Sequence, residues 1–189
     1  MNRQAFESGP LADVDCHASE DRWMLVFVRD LRHPPEKVWA ALTDPKQVRQ
    51  WAPYDTDTDL DSVGDATLTM IDGDTRVDLP TSVSRAEPPT LLEYTWGSDL
   101  LRWELAAIDA GTRLTLRHTI EDRESAAKVA AGWHICLVVA EHLLDGQPIG
   151  PIRGTDARTY GWDELRDAYA RSWRLRTAER PIVVACRSR

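Results

Sequence analysis

Residues 125–145, SAAKVAAGWHICLVVAEHLLD, form the longest segment of helical character in the chain, and they limit most strongly what it can fold into. Val129, Trp133, Cys136, Leu137, Ala140 and Leu144 recur at helical spacing and define one apolar face. Ile135 and Val139, with His142, lie on the opposite side, where a helix facing solvent carries polar groups. A helix that is apolar on two sides has to be covered on both. Gly146 is a natural stop at its C-terminal end. One cover is legible in the tail, where DELRDAYARSW (163–173) carries Leu165, Tyr169 and Trp173 on one stripe, with Trp162 nearby. A contact between two copies of the chain is the rival cover.

The remaining cover is a sheet. RWMLVFVRDL (22–31) reads as a strand, ended by His33-Pro34-Pro35. Two short helices follow. EKVWAALT places Val38, Ala41 and Leu42 on one face, with Trp39 beside them. Asp44-Pro45-Lys46-Gln47 starts the second, with Asp44 as cap, Pro45 at the first helical position and Gln47 completing a capping-box-like spacing. After an acidic loop, ATLTMI and residues 75–86 make two strands about a hairpin turn at Asp72-Gly73, with an edge or bulge signalled at Leu79-Pro80. LLEYTWG (91–97), LLRWELAAI (100–108) and TRLTLRHTI (112–120) form a meander whose last turn is Ala110-Gly111. Residues 1–21 read as a polar arm. The pattern predicts an α+β fold with a curved antiparallel sheet gripping a long helix. It predicts residues 22–146 as the domain and 147–189 as an extension whose helix, near 161–175, packs on it.

A chain of 189 residues fits one domain and can bury a core without disulfides or metals. Its formal charge of −8 argues against binding nucleic acid or an anionic membrane, although Arg166, Arg171, Arg174 and Arg176 gather near the end. Cys16, Cys136 and Cys186 are too scattered for a disulfide framework or a zinc site. Cys136 reads as a small buried hydrophobe. No stretch reads as approaching the ~20 apolar residues of a membrane span, and the N-terminal segment lacks an apolar signal core. The expected compartment is a reduced cytoplasm. No nucleophile elbow, P-loop, dinucleotide fingerprint or zinc-protease motif is present, so no cofactor is implied.

Four phrases resemble the START-like (SRPBCC) superfamily, in the branch similar to the activator of heat-shock chaperone ATPase. They are VRDLRHPPEKVWAALTDPKQVRQWAP (28–53), LLEYTWG (91–97), GTRLTLRHTI (111–120) and AAGWHICLVVAEHLLDG (130–146). The first and last are the specific ones, and residues 150–175 look like the extension of some bacterial members. The resemblance implies a helix-grip fold, a sheet of about six or seven strands wrapped around a long C-terminal helix, with a deep, mainly apolar cavity. Relatives bind lipids, sterols, polyketides or aromatic compounds, some cyclise polyketides, some act in antibiotic self-resistance, and the eukaryotic namesake stimulates a chaperone ATPase. Fold does not choose among these.

Along TRLTLRHTI, His118 shares a strand face with Leu114, Leu116 and Ile120, so it should point inward to the cavity or its rim. There it could bind a ligand or exchange a proton near neutral pH, or simply be a satisfied histidine at the sheet's edge. His134 projects to the flank of the long helix near Glu141, where it is a candidate to line the cavity mouth, although such a position also suits a structural, half-buried role. Trp51, Tyr54, Trp96, Trp103 and Trp133, with Leu137, are candidate cavity walls, and as a group they suit an apolar, even aromatic, ligand. The acidic loop with Asp55, Asp57, Asp59 and Asp61 fails as an EF-hand, since Leu60 and Ala66 stand at the sixth and twelfth positions. Glu93 and Glu104 do not read as paired catalytic carboxylates, and no metal site is expected.

Three functions remain in contention. The first is non-catalytic binding of a small hydrophobic or aromatic molecule, with sequestration or self-resistance as a variant. The second is a polyketide cyclase- or aromatase-like enzyme, which needs a second polar group against His118. The third is a chaperone co-regulator or interaction module, which needs an exposed docking patch. The chain acts as a monomer or homodimer in each.

Overall fold

The computed structural model describes residues 6–178, with side chains through residue 173. Cys186 and the side chains of Arg174 and Arg176 therefore lie outside the described residues. Eight antiparallel strands make one sheet: β1 (Asp13–Ser19), β2 (Arg22–Leu31), β3 (Tyr54–Thr56), β4 (Gly64–Asp72), β5 (Thr75–Glu87), β6 (Leu91–Trp96), β7 (Asp99–Ile108) and β8 (Gly111–Ile120). Their spatial order is β1-β2-β8-β7-β6-β5-β4-β3. Helices α1 (Pro35–Thr43) and α2 (Pro45–Val48) carry the chain from β2 to the far edge at β3, and the meander returns strand by strand to close against β2. The long helix α3 (Ala126–Leu144) and the tail helix α4 (Trp162–Ala178) complete the fold.

The α+β architecture is as the sequence pattern predicts and the helix grip as the resemblance implies, with eight strands in place of six or seven. One addition, β1, falls inside the segment read as a polar arm. It pairs with β2 through a two-residue turn at Glu20–Asp21, where Glu20 has φ +54°. The usual Asn-Gly or Asp-Gly signal is missing there. The other, β3, is three residues long. Pro80 does not interrupt β5. It stands opposite Thr67 of β4, on the stretch of β5 that precedes its pairing with β6 from Val83 onward, so its missing N–H costs no ladder bond.

Local chemistry fixes the ends of the helices. The Asp44 carboxylate accepts from the Lys46 amide at 2.8 Å and caps α2. Gly111 opens β8 at φ +141°, pressed so closely on the β2 end that an added Cβ would meet the Leu31 carbonyl oxygen at 2.1 Å. That position needs glycine for both conformation and space.

By length and composition Arg123–Leu144 would qualify to cross a membrane, which corrects the reading that no stretch approaches a span. Its apolar character is accounted for inside the protein, because 61% of the qualifying window is buried. Trp133, Leu137 and Leu144 are buried, and so are Ile135 and Val139 on the other side. Helix α4 packs along α3, burying Leu165 and Tyr169 and half-burying Trp173. The helix is thus gripped from both sides, by the sheet and by α4.

Candidate functional site

The inward faces of β3, β6, β7 and β8 deliver an aromatic cluster to the underside of α3. Alternation along β7 turns Leu101, Trp103 and Leu105 inward, and along β8 Leu114, Leu116 and His118. Trp133 descends from α3 to meet them. Ring centroids lie 5.2 Å apart for Trp103–Trp133, 6.1 Å for Trp51–Trp103 and 6.5 Å for Tyr54–Tyr94, all near-perpendicular. Edge-to-face packing of this kind suits the ring quadrupole. Trp51, Tyr54, Tyr94, Trp103, Trp133 and Leu137 are all buried, so these rings occupy much of the space beneath the helix. Trp96 is half-buried, and its ring touches three others: His118 at 5.4 Å, Tyr54 at 5.6 Å and Trp133 at 5.6 Å.

His118 is 2% exposed and has no free nitrogen. Its Nδ1 accepts from the Trp133 indole at 3.0 Å, so Nε2 carries the proton and donates to Asp99 Oδ2 at 3.1 Å. Asp99 is paired in turn with the Arg22 guanidinium, which also reaches the Ser98 carbonyl at 2.9 Å. The result is a relay of four residues from the rim to α3.

The other polar tips are also engaged. Trp51 donates to the Ala41 carbonyl at 2.8 Å and ties α1 to the turn after α2. Trp103 donates to the Tyr94 hydroxyl at 3.0 Å, and Tyr94 shares a short hydrogen bond with Tyr54. Burial pushes the Tyr94 hydroxyl up to about 12 and holds Tyr54 well above the ordinary phenol value, so both stay protonated. The Cys136 thiol is likewise pushed up to about 12 by burial, which leaves it inert near neutral pH. Trp96 makes the softest bond of the set, to the sulfur of half-buried Met70 at 3.2 Å.

His134 does not join this cluster. Fully buried rather than half-buried, it faces the opposite side of α3. Its Nε2 donates to the Ser8 carbonyl at 2.6 Å, and its Nδ1 accepts from the Tyr169 hydroxyl at 2.7 Å. The Tyr169 oxygen accepts from the Ala12 amide at 3.1 Å. Trp173 adds a bond to the Val14 carbonyl at 2.9 Å. Desolvation lowers the proton affinity of His134, so it is held neutral. Helical projection places His134 on a flank, but the cover that buries it comes from residues more than thirty positions away.

Tyr94 and Asp99 belong to the site and escape the sequence reading. The structure sets the two turn residues at Asp109–Ala110, one place before the Ala110-Gly111 reading, and counting outward from there pairs His118 with Leu101 and brings Asp99, two residues earlier, within reach. Tyr94 shares its strand face with Trp96. Glu93 and Glu104 lie on the outer face, bridged by Arg102. The acidic loop tucks Leu60 into the core, and Asp57 and Asp59 cap amides of Thr67 and Asp61. Among the described residues no cluster of three or more His, Cys, Asp or Glu could hold a metal ion.

An eight-stranded antiparallel sheet closed on a long helix, with an aromatic cluster between them, defines a helix-grip domain of the START-like class. Residues 32–143, more than half of the chain, match the family described as Activator of Hsp90 ATPase homolog 1-like protein, and the chain belongs to that family. Among solved structures it is similar to EF2215 from Enterococcus faecalis, a conserved protein of unknown function (15% identity, 85% of this chain and 90% of that one, TM-score 0.64). It is also similar to CalU16 from Micromonospora echinospora (18%, 85% and 95%, TM-score 0.60). DynU16, a protein in the dynemicin biosynthetic locus, is similar at 23% identity over 72% of this chain and 52% of that one, with a TM-score of 0.58. No curated protein matches.

Proposed function

We propose that this chain binds a small, flat, apolar or aromatic molecule beneath α3, in the place that Trp96 now fills, without catalysing a reaction on it. The observation that carries the reading is Trp96 itself. It is the half-buried ring of the cluster, it sits among His118, Tyr54 and Trp133, and its N–H is spent on a weak sulfur acceptor. It is the ring whose displacement costs least, and it leaves behind a slot walled by three other rings.

A cyclase-like reaction would need a free nitrogen on His118, and both nitrogens are engaged by Trp133 and Asp99. A docking module would need a continuous apolar patch. The exposed large hydrophobics among the described residues are Leu11, Val63 and Val77, from three different segments.

The test is fluorescence titration with the neutral probe N-phenyl-1-naphthylamine, with stoichiometry from native mass spectrometry. Wild type should bind one equivalent saturably, and Trp96→Ala should bind it more tightly because the slot is already vacant. Absence of saturable binding in both proteins would refute the proposal.

A further inference from the structure

Hydrogen bonds of the aromatic cluster balance, proton for acceptor, at every position but one. The Trp51 N–H meets a carbonyl, the Trp96 N–H a sulfur, the Trp133 N–H the His118 Nδ1, and the His118 N–H a carboxylate. The exception is the chain Trp103–Tyr94–Tyr54. It holds three protons, one on the indole and one on each hydroxyl, against two acceptor atoms, the phenolic oxygens. Trp103 uses Tyr94, and one hydroxyl uses the other. Whichever way the pair points, one O–H is left over, and neither tyrosine has any other side-chain hydrogen bond. Both rings are 1% exposed, so bulk solvent does not take the spare proton. In the cooperative direction, Tyr94 accepts from Trp103 and donates to Tyr54, which puts the spare proton on Tyr54. Tyr54 is the ring that Trp96 lies against.

We infer that the ligand carries a neutral hydrogen-bond acceptor, a ketone-like carbonyl oxygen on an aromatic frame, and that the Tyr54–Tyr94 pair supplies the O–H that recognises it. This inference rests on the binding reading above and names the ligand class for the same slot. A hydrocarbon leaves the buried donor unmatched. An anionic acceptor would have to be desolvated among the rings. A neutral carbonyl takes the one proton on offer and needs no other.

The experiment displaces N-phenyl-1-naphthylamine with 2-acetylnaphthalene and with 2-ethylnaphthalene, from wild type and from Tyr54→Phe/Tyr94→Phe. Both hydroxyls are removed because deleting Tyr54 alone passes the spare proton to Tyr94. The ketone-to-hydrocarbon affinity ratio in wild type should exceed that in the double variant by about tenfold, the scale of one hydrogen bond. Comparing ratios cancels the different water affinities of the probes. An unchanged ratio in the folded double variant overturns the inference and leaves the binding reading standing. Failure of both probes to displace from wild type overturns the two together. If the double variant does not fold, the carbonyl stretch of 2-acetylnaphthalene bound to wild type decides. A frequency below that in hexane is expected, and a hexane-like value overturns the inference.

Discussion

Replacing Tyr169 by Phe removes one oxygen atom from a place that is 1% exposed and leaves the ring's packing in place. That oxygen accepts from the Ala12 amide and donates to His134 Nδ1. Its loss strands one buried donor and one buried acceptor, each costing about 1–3 kcal/mol when nothing replaces the partner. The summed loss expected is about 2–4 kcal/mol, because the imidazole and the N-terminal segment relax in part. For a chain of this length that lowers the midpoint of thermal unfolding by roughly 5–15 °C. Urea unfolding followed by tryptophan fluorescence gives the free energy, and limited proteolysis around residues 8–19 reports whether the N-terminal segment detaches first. Ser172→Ala, which removes only a bond from a half-buried hydroxyl to a carbonyl in its own helix, is the control. A loss below about 0.5 kcal/mol, no larger than that control, would refute the claim that this hydroxyl ties Ala12, α3 and α4 together.

Neutral His134 makes stability depend on pH in a definite direction. Its proton affinity is lowered by burial, with nearby Arg29 opposing protonation and Glu141 favouring it, so the unfolded chain binds the proton more readily. The contribution is complete above the unfolded value of about 6.5 and is lost as pH falls below it, by up to about 1.4 kcal/mol per pH unit until the native value is reached. Urea unfolding between pH 8 and 4.5 should show that slope, and His134→Gln should flatten it. Arg153→Ala should cost about 2–4 kcal/mol, because its guanidinium donates to the carbonyls of Arg49, Ala52 and Tyr54 and to the Asp55 carboxylate. Arg153→Lys should recover little of that, since a point charge cannot span four acceptors. Gly111→Ala should cost about 3 kcal/mol or more in the same assay, because its Cβ would also meet the His33 amide nitrogen at 2.8 Å.

Signals carried within a few residues were readable in the chain, and signals carried between distant segments were not. The two apolar faces of α3, the Leu165–Tyr169–Trp173 stripe, the Asp44 cap and the β4–β5 hairpin, whose turn falls at Gly73–Asp74, one place after the Asp72-Gly73 reading, are each written in a short local window. Strand β1 offers only Val14 and Cys16 to the interior, too short an alternation to stand out from a polar lead-in. The inward direction of His118 followed from period two, but its partners depend on strand register and on how deep α3 sits. The depth of His134 was invisible for the same reason. Nothing in residues 130–138 says that Ser8 and Tyr169 will close over it.

Trp133 and His134 are consecutive residues, yet one is bonded into the sheet's interior and the other into the terminal segments. Successive side chains on an α-helix point about 100° apart. Turning α3 about its axis to ease one bond therefore pulls on the other. The helix is keyed in its bearing at two points, so a rotation strains at least one of them. Whatever room the interior makes for a guest must come from the sheet side, with the shaft held still.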